Sequence, residues 1–125
     1  MKNATTDAVV NYRLQKSEII RKKSVFDALF SNGRSAVFFP IKVIWTHHPE
    51  WGVAFSVPKK NFRKAHDRNR IKRLLREGYR LNKNLLPVHN KNLALLFIYI
   101  GKKQPFWSEI DTAFKKMAQE LPAKL

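Results

Sequence analysis

Apolar residues recur at helical spacing between positions 17 and 30, where Ile19, Ile20, Val25, Phe26, Leu29 and Phe30 gather before Asn32-Gly33 supplies a stop. The spacing predicts a first helix there, best defined over 23–31. From 36 to 57 the pattern changes to β-branched and aromatic runs: Val37-Phe38-Phe39, then Ile41, Val43, Ile44 and Trp45, then Val53, Phe55 and Val57. His47-His48-Pro49-Glu50 reads as the turn between the last two, so the region is expected to form a β-meander. Pro58 ends it, and a Lys/Arg-rich loop leads to Asp67, whose carboxylate suits the N-cap of a second helix running to about Lys83. A connector over 87–92 precedes Leu93 to Ile100, an almost unbroken apolar run short enough to be a strand buried on both faces. Residues 101–105 turn the chain into a last helix over 107–120, with Ile110, Phe114, Met117 and Leu121 on its apolar side. The order α-β-β-(β)-α-β-α, without internal repeat, predicts an α+β fold: a single-domain sandwich over 13–121, one mainly antiparallel sheet packed with helices. Residues 1–12 are polar and expected to be a flexible tail.

The second helix carries most of the functional signal. Wound at about 100° per residue, Arg68, Asn69, Lys72, Arg73, Arg76, Arg80 and Lys83 fall within one arc of roughly 140°, with Ile71, Leu74, Leu75 and Leu81 opposite. A rigid row of cations matches the spaced phosphates of nucleic acid, and their neutralisation releases counterions, which makes binding salt-dependent. Asn69, inside the row, has a short amide that both donates and accepts, so it suits a base edge, a sugar hydroxyl or a neighbouring side chain. Charge runs on helices are often just solvated faces laced with opposite charge. Here only Asp67 and Glu77 offset the cations of residues 59–77, so the row repels itself unless an anion is present.

Composition supports this. The 125 residues hold 25 Lys+Arg against 9 Asp+Glu, a formal charge of +16, while 44% hydrophobic content argues for a folded domain rather than a disordered basic chain. There is no cysteine, hence neither a disulfide framework nor a thiolate zinc site. No signal-peptide core or membrane-length apolar stretch occurs, so a cytoplasmic protein without membrane association is expected.

Protein-borne catalysis finds little support. His47-His48 with Glu50 resembles a metal or acid/base cluster, but adjacent histidines in a strand point to opposite faces and chelate poorly, so a solvated turn is expected. His66 is expected to bond locally or lie near the nucleic acid. An autonomous nuclease would need converging carboxylates, and the nine acids are scattered along the chain. No catalytic residue, no metal ligand and no cofactor of the protein's own is expected.

Lys59-Lys60, Ala65, Arg68-Asn69-Arg70, Lys72-Arg73 and Arg76-Glu77 reproduce the signature of the bacterial ribonuclease P protein component. Upstream, Arg13-Leu14 with Lys16, Val25-Phe26, Leu29-Phe30, Gly33, Ser35 and Phe55-Ser56-Val57 are similar to the same family, so the resemblance spans about 12–120. It implies the protein subunit of a ribonucleoprotein endonuclease in which the RNA subunit, with Mg2+, removes the 5′ leader of precursor tRNA. It implies RNA contacts from the basic helix and loop, expected at Lys59, Lys60, Arg63, Lys64, Arg68, Asn69, Arg70, Lys72, Arg73, Arg76 and Arg80, and a leader cleft lined by Phe26 and Phe30, with Lys42 and Ile44 as candidates from the neighbouring strand and Lys42 as the expected phosphate contact. It also implies a left-handed βαβ crossover, and partners comprising the RNA subunit and precursor tRNA, with one protein monomer per RNA. Single-stranded RNA is commonly held by a positive groove with aromatic faces. Phe26 and Phe30, four residues apart, share a helix face, although such pairs also serve as core. On the neighbouring strand Lys42 and Ile44 point away from Ile41, Val43 and Trp45; alternation leaves open which set looks into the cleft. The alternative is a ribosomal-type structural RNA-binding protein with no part in turnover.

Overall fold

The computed structural model describes residues 14, 16–86, 88 and 91–125. The expected flexible tail over 1–12 lies outside them. Helix α1 spans Lys23–Asn32, strands β1, β2 and β3 span Arg34–Phe38, Ile41–His47 and Gly52–Ser56, helix α2 spans Ala65–Asn82, strand β4 spans Leu93–Tyr99 and helix α3 spans Trp107–Glu120. All four strands share one sheet in the order β1-β2-β4-β3.

Strands β1 and β2 pair antiparallel through a turn with a cis Phe39–Pro40 peptide, and β2 pairs antiparallel with β4. Strand β3 pairs parallel with β4 and does not pair with β2, which corrects the expected meander. The physical reason lies in β4. LALLFIY is apolar on both sides, and a central position buries both, whereas a meander would have left it at an edge.

Helices cover both faces of the sheet. On one, Val43, Trp45, Val53, Leu95 and Phe97 pack under Ile71, Leu75 and Tyr79 of α2 and Ile110, Phe114 and Met117 of α3. On the other, Ala54, Ala94 and Leu96 pack under Val25 and Leu29 of α1. The side chains on this second face are smaller, so α1 can lie close to the sheet. Close approach also explains Gly33, just after α1, where an added Cβ would sit 2.6 Å from Ile44 Cγ2. Gly78 does the same at the α2–α3 crossing, where a Cβ would meet Phe114 Cε2 at 2.7 Å and Ile110 Cγ2 at 3.1 Å.

Hydrogen bonding fixes the hand of the β3-α2-β4 unit. Val53 turns its side chain toward α2, and its carbonyl, facing away from β4, accepts the Ile20 N–H at 2.8 Å. On an upward strand of L-residues, a side chain facing the viewer puts that residue's own N–H and C=O on the right. Seen from the α2 side, β4 therefore lies to the left of β3. The connection through α2 is a left-handed crossover, against the strong right-handed default.

Three local expectations are corrected. Residues 17–22 are not part of α1: Lys16–Glu18 form a 3-10 turn and Ile19 makes a parallel bridge to Val53. Ile19 packs with the α2 side of the core and Ile20 with the α1 side, the alternation of a strand, so this segment covers the open edge of β3. Asp67 is not the N-cap of α2. The cap is Lys64, and Asp67 lies in the first turn, where its charge still meets the positive helix end. Leu81, placed on the apolar side by periodicity, is exposed, and Gly78, Tyr79 and Asn82 take the buried positions around Ile71 and Leu75.

Candidate nucleic-acid interface

Burying Ile71, Leu75, Gly78 and Tyr79 turns the opposite side of α2 to solvent, and Asn69, Arg73 and Arg76 occupy it, exposed. Among the described residues Arg73 and Arg76 have no ion-pair partner. The row is thus an exposed cationic strip on a rigid helix. Other members of the predicted arc are partly committed. Arg80 pairs with Glu77 one turn back, and this bond holds the guanidinium in its charged form, with its pKa raised. Lys83 leaves the strip: its side chain is 10% exposed and its Nζ lies 2.8 Å from Glu18 Oε1, tying the end of α2 to the segment along β3. Lys72 is half-buried on the flank.

The loop before α2 carries Lys59, Lys60, Arg63 and Lys64, all exposed. Arg68 organises it: one guanidinium nitrogen, Nη1, donates to the carbonyls of both Phe62 and Arg63 at 2.8 Å. Phe62 anchors the same loop in the core, its ring 5.8 Å from that of Tyr99. Arg70 reaches the other way, donating to Gln104 Oε1 at 2.6 Å. The cations are therefore presented by two supports, a helix face and a loop that Arg68 pins to that helix. Arg68→Lys should keep the charge but lose the double carbonyl contact, because the lysine side chain ends one bond short of the Nη1 position that meets both carbonyls. Amide exchange at 62–64 is expected to quicken in that variant, while exchange in the middle of α2 stays as in the wild type.

The α1 side of the sheet holds the second predicted group. Lys42 and Ile44 face this side, which settles the choice that strand alternation left open. Phe26 is half-buried and, like Ile44 and Ile98, packs against the core on this face, whereas Phe30, one turn on, is 67% exposed. Val37, opposite Lys42 in the β1–β2 register, and Ile98, opposite it in β4, complete an apolar floor that sequence reasoning missed. Only the register reveals them, since Val37 belongs to an aromatic run and Ile98 to an unbroken apolar one. Together these residues leave a partly exposed, largely apolar sheet surface beside α1 with one cation, and Phe30 adds an exposed aromatic ring on that helix.

The histidines belong to backbone structure. His47 Nδ1 lies 2.9 Å from the Lys91 carbonyl, and His48 Nδ1 accepts the Glu50 N–H at 3.0 Å, closing the turn before β3. His66 Nδ1 is 3.7 Å from Asp67 Oδ1 on the exposed first turn of α2. Among the described residues no group of three or more His, Cys, Asp or Glu is placed to share a metal ion. No helix among them is long and apolar enough to cross a membrane. Tyr79, near Glu18, is held neutral because burial pushes its phenol pKa well up.

A four-stranded α+β domain with an exposed cationic helix on one side and an apolar surface with an exposed aromatic ring on the other defines a protein shaped to meet a polyanion. The family model described as Ribonuclease P matches residues 14–122. A ribonuclease P protein component from Porphyromonas gingivalis is 33% identical over 114 residues, covering 84% of this chain and 83% of that one. One from Chlorobium phaeobacteroides is 33% identical over 125 residues, covering 86% and 82%. The fold is shared with the Staphylococcus aureus RNase P protein, at a TM-score of 0.68 and 22% identity over 83% of this chain and 94% of that one. The Thermotoga maritima RNase P protein superposes with a TM-score of 0.58 at 24% identity, covering 86% and 94%. The chain belongs to the ribonuclease P protein family, the protein subunits of that endoribonuclease.

Proposed function

We propose that this chain binds the RNA subunit of ribonuclease P through α2 and the loop before it, and holds the 5′ leader of precursor tRNA on the surface beside α1. The observation that carries this reading is the exposed row of Asn69, Arg73 and Arg76, whose arginines form no ion pair among the described residues, in a member of this family. One protein monomer serves one RNA, in the cytoplasm. Magnesium acts in the RNA-containing holoenzyme, held by the RNA, and supplies metal-assisted hydrolysis there. The protein's own residues bind and orient: cations neutralise phosphates that would otherwise repel as leader and RNA subunit converge, and the Phe30 ring offers a stacking face.

Reconstitution tests this. The purified chain added to a bacterial ribonuclease P RNA at low magnesium should stimulate 5′-leader removal. RNA binding without stimulation at any salt concentration would instead favour a structural RNA-binding protein. Within the holoenzyme, Phe30→Ala removes an exposed ring without opening the core. It should raise KM for a precursor with a long leader about tenfold, given stacking worth about 1–3 kcal/mol per base, and leave a precursor with a one-nucleotide leader unaffected. His47→Ala should cleave as the wild type does.

A further inference from the structure

Three large aromatic residues lie exposed at one end of the sheet, toward α3: Phe39 (70% exposed) in the β1–β2 turn, Phe106 (76%) just before α3 and Trp107 (36%) at its start. Single exposed apolar side chains are common, but three aromatics at one end form a patch. Phe39 and the first turns of α3 share the walls of one shallow cleft of about 300 Å³. The one acid there, Glu109, has its carboxylate turned to the helix start, where Oε1 accepts the Phe106 N–H at 2.9 Å.

This patch adjoins the cationic surface through defined bonds. Gln104, two residues before Phe106, accepts from Arg70 and donates through Nε2 to the Asp67 carbonyl at 3.2 Å, fastening its loop to the first turn of α2. The Tyr99 hydroxyl donates to the Lys103 carbonyl at 2.6 Å, and the Tyr99 ring meets Phe62 of the basic loop. Lys102 and Lys103, both exposed, thus stand between the aromatic patch and the basic loop.

We infer that Phe39, Phe106 and Trp107 form a second stacking platform for unpaired RNA, separate from the surface beside α1 and reached across Lys102 and Lys103. The inference rests on the reading that the chain binds RNA. Charge decides the occupant. A second copy docking on this end would bring two basic loops together, whereas single-stranded RNA supplies phosphates for the lysines and flat bases for the rings.

The test uses the full chain and a fluorescein-labelled oligouridylate. Phe39→Ala/Phe106→Ala should weaken binding tenfold or more without changing the slope of log affinity against log salt, because stacking releases no counterions. Phe39→Tyr/Phe106→Tyr keeps the rings and should bind as the wild type, which separates stacking from any loss of fold. Wild-type affinity in the alanine double variant overturns the platform, and intact binding of the ribonuclease P RNA in the same preparation shows that the RNA reading itself survives. Failure of the wild type to bind either RNA overturns both. A wild-type dimer in sedimentation that the alanine variant abolishes, at unchanged oligouridylate affinity, overturns the platform in favour of self-association.

Discussion

Replacing Arg73 and Arg76 together by alanine is expected to weaken binding of the ribonuclease P RNA on the order of thirtyfold at physiological salt. Each phosphate contact contributes about 0.9 to the slope of log affinity against log salt, so losing two lowers the slope by nearly two units. Lines that differ by that slope and meet near 1 M salt are separated by about 1.5 log units at 0.15 M. The structure selects these two residues because they are exposed, stand one turn apart and form no ion pair among the described residues, Glu77 being taken by Arg80. Lys83→Ala, by contrast, should leave the slope unchanged, since its ammonium is spent on Glu18. Filter binding of the RNA subunit across a salt series checks both. An unchanged slope in the Arg73→Ala/Arg76→Ala variant would remove α2 from the interface.

The second large effect concerns what holds that helix in place. Phe97, central in β4 and fully buried, meets Phe55, Tyr79 and Phe114 with ring centroids 5.6, 5.6 and 5.2 Å away. These rings come from β3, α2 and α3, so a single side chain joins the sheet to both helices on that face. Phe97→Ala should cost about 3–5 kcal/mol, from lost burial and from the cavity left among rings that cannot close in. A domain of this size has roughly 5–15 kcal/mol of stability, so the variant should unfold at a much lower denaturant concentration. Urea unfolding followed by circular dichroism measures the shift. RNA affinity should fall with the folded fraction and recover when the RNA subunit is in excess, because binding favours the folded state. In the Arg73→Ala/Arg76→Ala variant stability should hold while affinity falls.

The surface beside α1 shows how far local pattern reaches. Phe26 and Phe30 were visible as a pair on one helix face, and Lys42 and Ile44 as a pair on one strand face. Nothing in either segment said that the two faces meet. That required β2 to lie beside β4 with Lys42 opposite Ile98, a register set by pairing partners fifty residues apart in sequence. Arg68 makes the same point about charge. Its position in the basic arc was legible, but its hydrogen bonds to Phe62 and Arg63 depend on how the preceding loop folds back.

Periodicity and residue type within single segments were enough for the helices α1, α2 and α3, the buried character of β4, the one-sided charge of α2 and the family to which the chain is similar. There sterics and burial act locally. Only the tertiary structure decided that β4 enters between β2 and β3, that residues 19–20 run along the β3 edge, and that the β3-α2-β4 crossover is left-handed. Those choices are settled by which apolar faces can be buried together. A continuous apolar strand gains most at the centre of the sheet, and the strands that flank it are chosen by the whole core rather than by their own sequence.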